Sequence, residues 1–114
     1  MPIMQLDSVG DVIAVRRLSL ANDPNRTIVV KMGKPQPLPE ALGHDHFCPF
    51  QINGVGSEKV KYAAGVDGFQ SIELAFRAIE VELALLNRAH DGKLRWEGDE
   101  HGNLGFPFRE RFRE

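Results

Sequence analysis

The sequence predicts an α+β fold: an antiparallel β-sheet of four or more strands, one long α-helix packed on one face, and a C-terminal hairpin or hooked segment. Short apolar segments separated by turn-forming residues precede residue 65, and one long segment with helical periodicity follows it. The chain has 114 residues, of which 42% are apolar and 26% charged, a composition that supports one hydrophobic core. We therefore expect a single domain over residues 1–114.

The first two strands are predicted to form an antiparallel hairpin. The apolar residues of segment 11–20 switch from one strand phase to the other, which indicates a β-bulge. They are Ile13 and Val15 on one phase, then Leu18 and Leu20 on the other. Turn-forming residues follow at 21–25, and a β-branched segment at 27–32 supplies the second strand.

A third strand is predicted after the proline-rich segment 34–40. Prolines at every second position exclude a helix there and make the segment an extended connection. Beyond it, Cys48, Phe50 and Ile52 alternate with polar or proline positions and are expected to face the core. Pro49 lacks a backbone donor, which favours an edge position or a bulge for this strand.

A fourth strand is expected after a turn at residues 53–57. Its apolar phase, Val60, Tyr62 and Ala64, is predicted to face the core. Lys59 and Lys61 occupy the alternate phase and are predicted to face away from it.

The longest element is a predicted helix of about 22 residues, on the order of 33 Å at 1.5 Å per residue. Asp67 is expected to cap its N-terminus together with Gln70 in a capping box, and Gly92 is expected to end it. One apolar stripe has spacings of three and four residues and is predicted to pack on the sheet. This stripe is Phe69, Ile72, Phe76, Ile79, Leu83 and Leu86.

A second apolar stripe lies roughly 150° around the same helix. It consists of Leu74, Ala78, Val81 and Leu85. Polar residues separate the two stripes, with Glu73, Arg77 and Glu80 on one flank and Ser71 and Glu82 on the other. Because a helix on one sheet needs only one apolar face, the second stripe is predicted to be an interface, covered by another copy in a homodimer or by the C-terminal segment.

The C-terminal part is predicted to form a short hairpin or hooked segment that covers apolar surface. Its apolar residues are Leu94, Trp96, Leu104, Phe106 and Phe108. The charged residues 109–114 are expected to fray.

Four segments carry a family resemblance. They are Cys48-Pro49-Phe50-Gln51-Ile52, Gly65-Val66-Asp67-Gly68-Phe69-Gln70-Ser71-Ile72-Glu73-Leu74-Ala75, Leu94-Arg95-Trp96 and Leu104-Gly105-Phe106-Pro107. In this GVDxxQ…LRW…LGFP pattern the chain resembles a group of small bacterial proteins classed as a domain of unknown function, over roughly residues 12–107. The resemblance implies a bacterial, cytoplasmic, single-domain protein. It brings no catalytic motif.

The densest group of chemically capable side chains is His44, His46 and Cys48. In an extended chain, residues two apart point to the same side, so two imidazoles and a thiolate can face one zinc ion, or an imidazole can activate the thiol as a nucleophile. The favoured interpretation is structural: the histidines are solvated, and Cys48 is a small buried side chain whose burial suppresses its reactivity. No metal or cofactor is therefore assigned.

Charge and composition limit the partners. The net charge of -2 supplies no field that attracts nucleic acid or an anionic membrane. Six basic residues are predicted to decorate one sheet face without an aromatic partner: Arg16, Arg17, Lys31, Lys34, Lys59 and Lys61. The single cysteine and the absence of a long apolar run favour a cytoplasmic protein.

The prediction that combines these features is a non-enzymatic interaction module that forms a homodimer. Its main support is the two-striped helix, together with the lack of a triad, paired carboxylates or a metal signature. The alternative is a small-ligand or metal-dependent enzyme built on His44, His46 and Cys48.

Overall fold

The computed structural model describes residues 4–40, 43, 45–54, 58–96, 99 and 101–106. These residues form six strands and one helix, which confirms the predicted α+β class. The strands are β1 (Val12–Leu20), β2 (Asp23–Gly33), β3 (Gln36–Pro37), β4 (His46–Asn53), β5 (Lys61–Gly65) and β6 (Leu94–Trp96), and the helix is α1 (Gly68–Ala89).

All strand pairs are antiparallel. The order across the sheet is β3-β4-β2-β1-β6, and β5 pairs with β4 beside this path. The predicted β1–β2 hairpin is confirmed, although its turn is confined to residues 21–22 and β2 already begins at Asp23. The proline-rich connection is extended, and two of its residues form β3 against the start of β4.

The position of the β1 bulge differs from the prediction. Pairing with β2 is regular from Ala14 to Ser19, and the register shifts lie near the ends of β1, between Val12 and Ala14 and between Ser19 and Leu20. A bulge therefore does not bring the apolar residues of β1 to one face. Instead, Arg16 lies on the same side of the strand as Leu18, so an arginine occupies a core-side position where strand alternation would place an apolar residue.

The prediction that Pro49 marks an edge or a bulge is wrong. Strand β4 lies inside the sheet, with β5 along one edge and β2 and β3 along the other. The ladder with β2 ends at Phe50, and the ladder with β3 begins at Phe47. Pro49 lies in the gap between these two ladders, where a missing backbone donor has the smallest cost.

The predicted orientation of β5 is wrong for Lys61, Tyr62 and Ala64, although Val60, just before the strand, is buried as expected. Cys48 and Phe50 of β4 are core residues, and their direct partners in β5 are Ala63 and Lys61. Lys61 therefore faces the helix, where its Nζ lies 2.8 Å from Glu82 Oε1. Tyr62 belongs to the opposite face, where its ring makes an edge contact with that of Phe47.

The ends of the helix agree with the prediction. Asp67 is the N-cap, and its Oδ1 accepts a 2.8 Å hydrogen bond from the backbone N–H of Gln70. The Gln70 side chain completes the box one residue earlier than usual, because its Oε1 accepts from the N–H of Val66. The helix ends at Ala89, and Gly92 follows with a φ of 72°.

The buried helix face is shifted from the predicted stripe. Ile79 and Leu83 are buried as expected. The prediction that Phe69 packs on the sheet is wrong, because 87% of its surface is exposed. The flanking residues Ser71 and Glu80 are buried, at 0% and 1% exposure, which also corrects the prediction. The helix approaches β5 so closely that a Cβ at Gly65 would lie 2.7 Å from the Ser71 nitrogen, so small residues must line this contact.

The C-terminal part is a hooked segment in the described residues. Strand β6 pairs with residues 18–20 of β1, and the chain then returns to bury Leu104 at 1% exposure. The predicted contribution of Phe108, the fraying of residues 109–114 and the tip of the 53–57 turn lie outside the described residues.

Candidate functional site

The His46–Cys48 pair lies on the core side of β4. Cys48 is 0% exposed, and its Sγ lies 3.5 Å from the carbonyl oxygen of Gly33. Desolvation by burial raises the pKa of the Cys48 thiol from 9.0 to about 11, which opposes formation of a thiolate at neutral pH. The structural interpretation of Cys48 is thereby supported.

The remaining ligands do not assemble in the described part of the chain. His44 lies outside the described residues. His46 is half-buried, and among the described residues its Nδ1 has no hydrogen-bond partner. The described residues contain no group of three or more histidine, cysteine, aspartate or glutamate side chains with metal-binding geometry.

The six basic residues do not share one face, which corrects the prediction. Arg16 lies on the core side, and Lys61 faces the helix. Arg17 and Lys31 belong to the opposite face, because their direct partners are Val29 and Val15 rather than core positions. The sheet therefore has no continuous basic surface over its described strands.

The second helix stripe is only partly exposed. Leu85 is 56% exposed, whereas Leu74, Ala78 and Val81 are half-buried. Its role as an interface between copies stays a prediction.

A different apolar surface lies on β1. Strand β6 covers only Leu18–Leu20 of β1, which we call the closed half. No described strand pairs with the outer edge of Val12–Arg17, which we call the open half. Three of its aliphatic side chains are about half exposed: Val12 at 46%, Ile13 at 51% and Val15 at 46%. An unpaired strand edge with exposed aliphatic side chains is a typical site for pairing with another chain.

A cavity of about 140 Å³ adjoins the open half, between β1, β2 and α1. Its lining is almost entirely apolar and includes Val30, Met32, Phe76, Ile79 and Phe106. This volume is close to that of a cavity that holds one benzene-sized group, so it suits a single side chain rather than a larger ligand.

Arg16 forms the boundary of this cavity and anchors the hooked segment. Its Nη1 donates hydrogen bonds to the carbonyl oxygens of Leu104 (3.2 Å) and Gly105 (2.7 Å). Its guanidinium carbon lies 4.5 Å from the centre of the Trp96 ring and 4.7 Å from that of Phe106. Gly105 adopts a φ of 81°, and a Cβ there would overlap the guanidinium. These contacts stabilise a half-buried cation by cation–π attraction and charge-assisted hydrogen bonds.

Neither the contacts of Arg16 nor the open half of β1 is predicted by the sequence pattern. One signal was present: Arg16 occupies the same strand phase as Leu18, so a cation interrupts an apolar phase that leads into the core. Aromatic residues 80 and 90 positions later had no local feature that paired them with it.

These features define a small α+β domain with an open strand edge. A family model described as a domain of unknown function, DUF6968, matches residues 14–108, and the chain belongs to that family. No curated protein and no solved structure matches the chain. Among the described residues, no helix is long and apolar enough to cross a membrane.

Proposed function

We propose that this protein is a non-enzymatic interaction module that self-associates through the open half of β1. The observation that supports it is the edge of Val12–Arg17, with which no strand in the described part of the chain pairs and on which three aliphatic side chains are about half exposed. A second strand added here would satisfy the free backbone groups and remove the aliphatic side chains from water.

A second copy is the occupant that the sequence of the edge favours. A symmetric contact requires a self-complementary patch, and aliphatic residues of similar size at neighbouring positions meet that requirement. The neighbouring cavity, at about 140 Å³, also has room for one additional apolar side chain.

The enzyme alternative has weaker support. It requires a reactive thiol or a ligand set, whereas Cys48 is fully buried with a pKa of about 11. A bacterial source and a cytoplasmic location, both implied by the family resemblance and the reduced cysteine, complete the proposal.

Sedimentation velocity of the full chain over a range of micromolar concentrations tests it with two matched variants. Ile13 and Leu85 have similar exposures, 51% and 56%. Ile13 lies in the open half of β1, whereas Leu85 lies on the second helix stripe. We expect a dimer for the parent and for Leu85→Lys, and a folded monomer for Ile13→Lys. A monomeric parent would refute self-association, and dissociation by Leu85→Lys alone would move the interface to the helix stripe.

A further inference from the structure

The cavity beside the open half of β1 has an apolar interior and one charged group. Arg16 is the only charged residue among the described residues that line it. The other lining side chains are aliphatic, aromatic or, at Met32, a thioether. Pockets of this kind bind small molecules, because the apolar walls contact the body of the ligand and a few polar groups orient it. A ligand that complements this cavity has an apolar body and an anionic group.

The guanidinium of Arg16 retains donors for an anion. Both of its hydrogen bonds within the described part of the chain, to the carbonyl oxygens of Leu104 and Gly105, use Nη1. Its Nε and Nη2 donate to no acceptor among the described residues. These two nitrogens carry the parallel N–H groups with which an arginine binds a carboxylate in bidentate geometry. A carboxylate is therefore the anion that this side chain suits best.

The guanidinium is already held in place without a ligand. Its central carbon lies 4.5 Å from the centre of the Trp96 ring and 4.7 Å from that of Phe106, while the two carbonyl oxygens fix Nη1. An ordered side chain loses little conformational entropy when it binds a ligand. Arg16 is also half-buried, so water screens its charge less than at an exposed position. Both effects favour binding of an anion.

The volume and the walls of the cavity indicate the apolar body. About 140 Å³ accommodates one benzene-sized ring. The rings of Phe76 and Phe106, which both line the cavity, lie 4.9 Å apart and are tilted by 55°. A further ring can make edge or offset contacts with them, and the sulfur of Met32 also packs favourably against aromatic rings. These features favour a single aromatic ring.

We propose that this cavity binds a small aromatic monocarboxylate. The ring lies among Met32, Phe76 and Phe106, and the carboxylate accepts from Nε and Nη2 of Arg16. This inference goes beyond the proposed self-association, because the described residues that line the cavity all belong to one copy. The hooked segment completes the site, since it supplies Phe106 and the carbonyl oxygens that hold Arg16.

Titration of the unmodified full chain with benzoate, followed by isothermal titration calorimetry, tests the ligand class. We expect one benzoate per chain with a dissociation constant below about 1 mM. Benzyl alcohol keeps the ring but lacks the charge, and acetate keeps the carboxylate but lacks the ring. Each should bind at least about tenfold more weakly than benzoate. Absence of benzoate binding, or equal binding of acetate, would overturn the proposal.

Two arginine variants test the carboxylate contact. Arg16→Lys keeps the positive charge but lacks the parallel pair of donors, so we expect benzoate to bind about tenfold more weakly. Arg17→Lys is the matched control, because it makes the same exchange at an exposed position on the opposite face of β1 and should leave binding unchanged. Circular dichroism verifies folding. Unchanged affinity in folded Arg16→Lys would refute the role of Arg16.

Two alanine variants test the location of the ring. Ala14 lines the cavity, so Ala14→Phe should place a phenyl ring in the volume that the ligand requires and weaken benzoate binding at least about tenfold. Ala64→Phe is the control, because Ala64 is an exposed strand residue outside the lining. Full affinity in folded Ala14→Phe would show that benzoate binds elsewhere.

The variant Ile13→Lys separates this inference from the proposed function. We expect it to be a folded monomer in which no second copy competes for the cavity, and to bind benzoate at least as tightly as the parent. A folded monomer that does not bind benzoate would refute the ligand site alone. A parent that is monomeric in sedimentation velocity and still binds benzoate would refute self-association alone and support the ligand site.

Discussion

The two halves of β1 have different environments although they belong to one continuous strand. In the closed half, Leu18 and Leu20 belong to the hydrophobic core and are each 3% exposed, and β6 extends the sheet beside them. In the open half, Val12, Ile13 and Val15 are 46–51% exposed, and no described strand covers their edge. Two differences separate the halves: Leu18 lies opposite the core residue Ile28 whereas Val15 lies opposite Lys31 on the other face, and β6 pairs only with the closed half.

Arg16 lies where these environments meet. Its guanidinium contacts Trp96 of β6 and Phe106 of the hooked segment. Arg16 therefore connects the open half of β1 to the two C-terminal segments. One continuous strand thus supplies buried core residues in its closed half and exposed aliphatic residues in its open half. The boundary between the two halves is formed by the half-buried Arg16 rather than by a turn.

Truncating Leu94, the residue of β6 that pairs with Leu20, should have the largest effect on stability. Leu94 is 0% exposed, pairs directly with Leu20, and its N–H donates to the Asn87 side chain at 3.0 Å. We expect Leu94→Ala to reduce the free energy of unfolding by about 2–5 kcal/mol, because it leaves a cavity in the core. Urea unfolding followed by circular dichroism measures this loss. A loss no larger than that of a surface substitution would contradict the assignment of the closed half to the core.

Replacing the boundary cation should have an intermediate effect. Arg16→Met keeps an apolar stem but removes the cation–π contacts and the donors to Leu104 and Gly105. We expect a loss of about 1–3 kcal/mol in the same urea experiment. Greater hydrogen exchange at the amides of residues 104–106 should accompany it. Unchanged exchange there would show that Arg16 does not hold the hooked segment.

Thiol labelling compares the open half with a buried strand. Cys48 is 0% exposed with a pKa of about 11, so we expect slow reaction with a thiol reagent at neutral pH in the folded parent. A cysteine introduced by Val15→Cys should react at least about a hundredfold faster at low protein concentration, where the chain is monomeric. Rapid labelling of Cys48 would refute its structural role.

The same thiol gives a smaller, pH-dependent effect. Its folded-state pKa is raised from 9.0 to about 11, so the neutral thiol favours the folded state. This contribution is complete below pH 9.0 and is lost as the pH rises toward about 11, because the unfolded chain releases its proton first. Cys48→Ala should lack this part of the alkaline decrease in stability, as measured by urea unfolding at several pH values. An identical pH profile for the variant would contradict the shift.

The sequence predicted those features that depend on local signals. The cap at Asp67, the helix end near Gly92 and the β1–β2 hairpin each follow from residues within one turn of the element. The buried helix face was predicted less well, because hydropathy alone placed Phe69 on it. Close approach at Gly65 instead selects small residues, and Ser71 and Ala75 are both 0% exposed.

Features that depend on distant pairing could not be read from the sequence. Pro49 lies between the β2–β4 ladder and the β3–β4 ladder. The position of this gap depends on where β2 and β3 pair with β4, and both are distant from Pro49 in the sequence. Within the described residues, the open edge follows from the lengths of the strands, because β6 has three residues and pairs with only part of the nine-residue β1. Alternation indicates that a residue belongs to a strand, but it does not indicate which edge of that strand stays free.

Amide hydrogen exchange as a function of protein concentration tests most directly whether the open half of β1 is the association surface. At low concentration we expect fast exchange in Val12–Arg17 and slow exchange in Leu18–Leu20. At concentrations where sedimentation detects a dimer, amides of the open half should gain protection, while those of the closed half and of the helix stripe around Leu85 should not change. A dimer that forms while exchange in Val12–Arg17 stays fast would contradict the account.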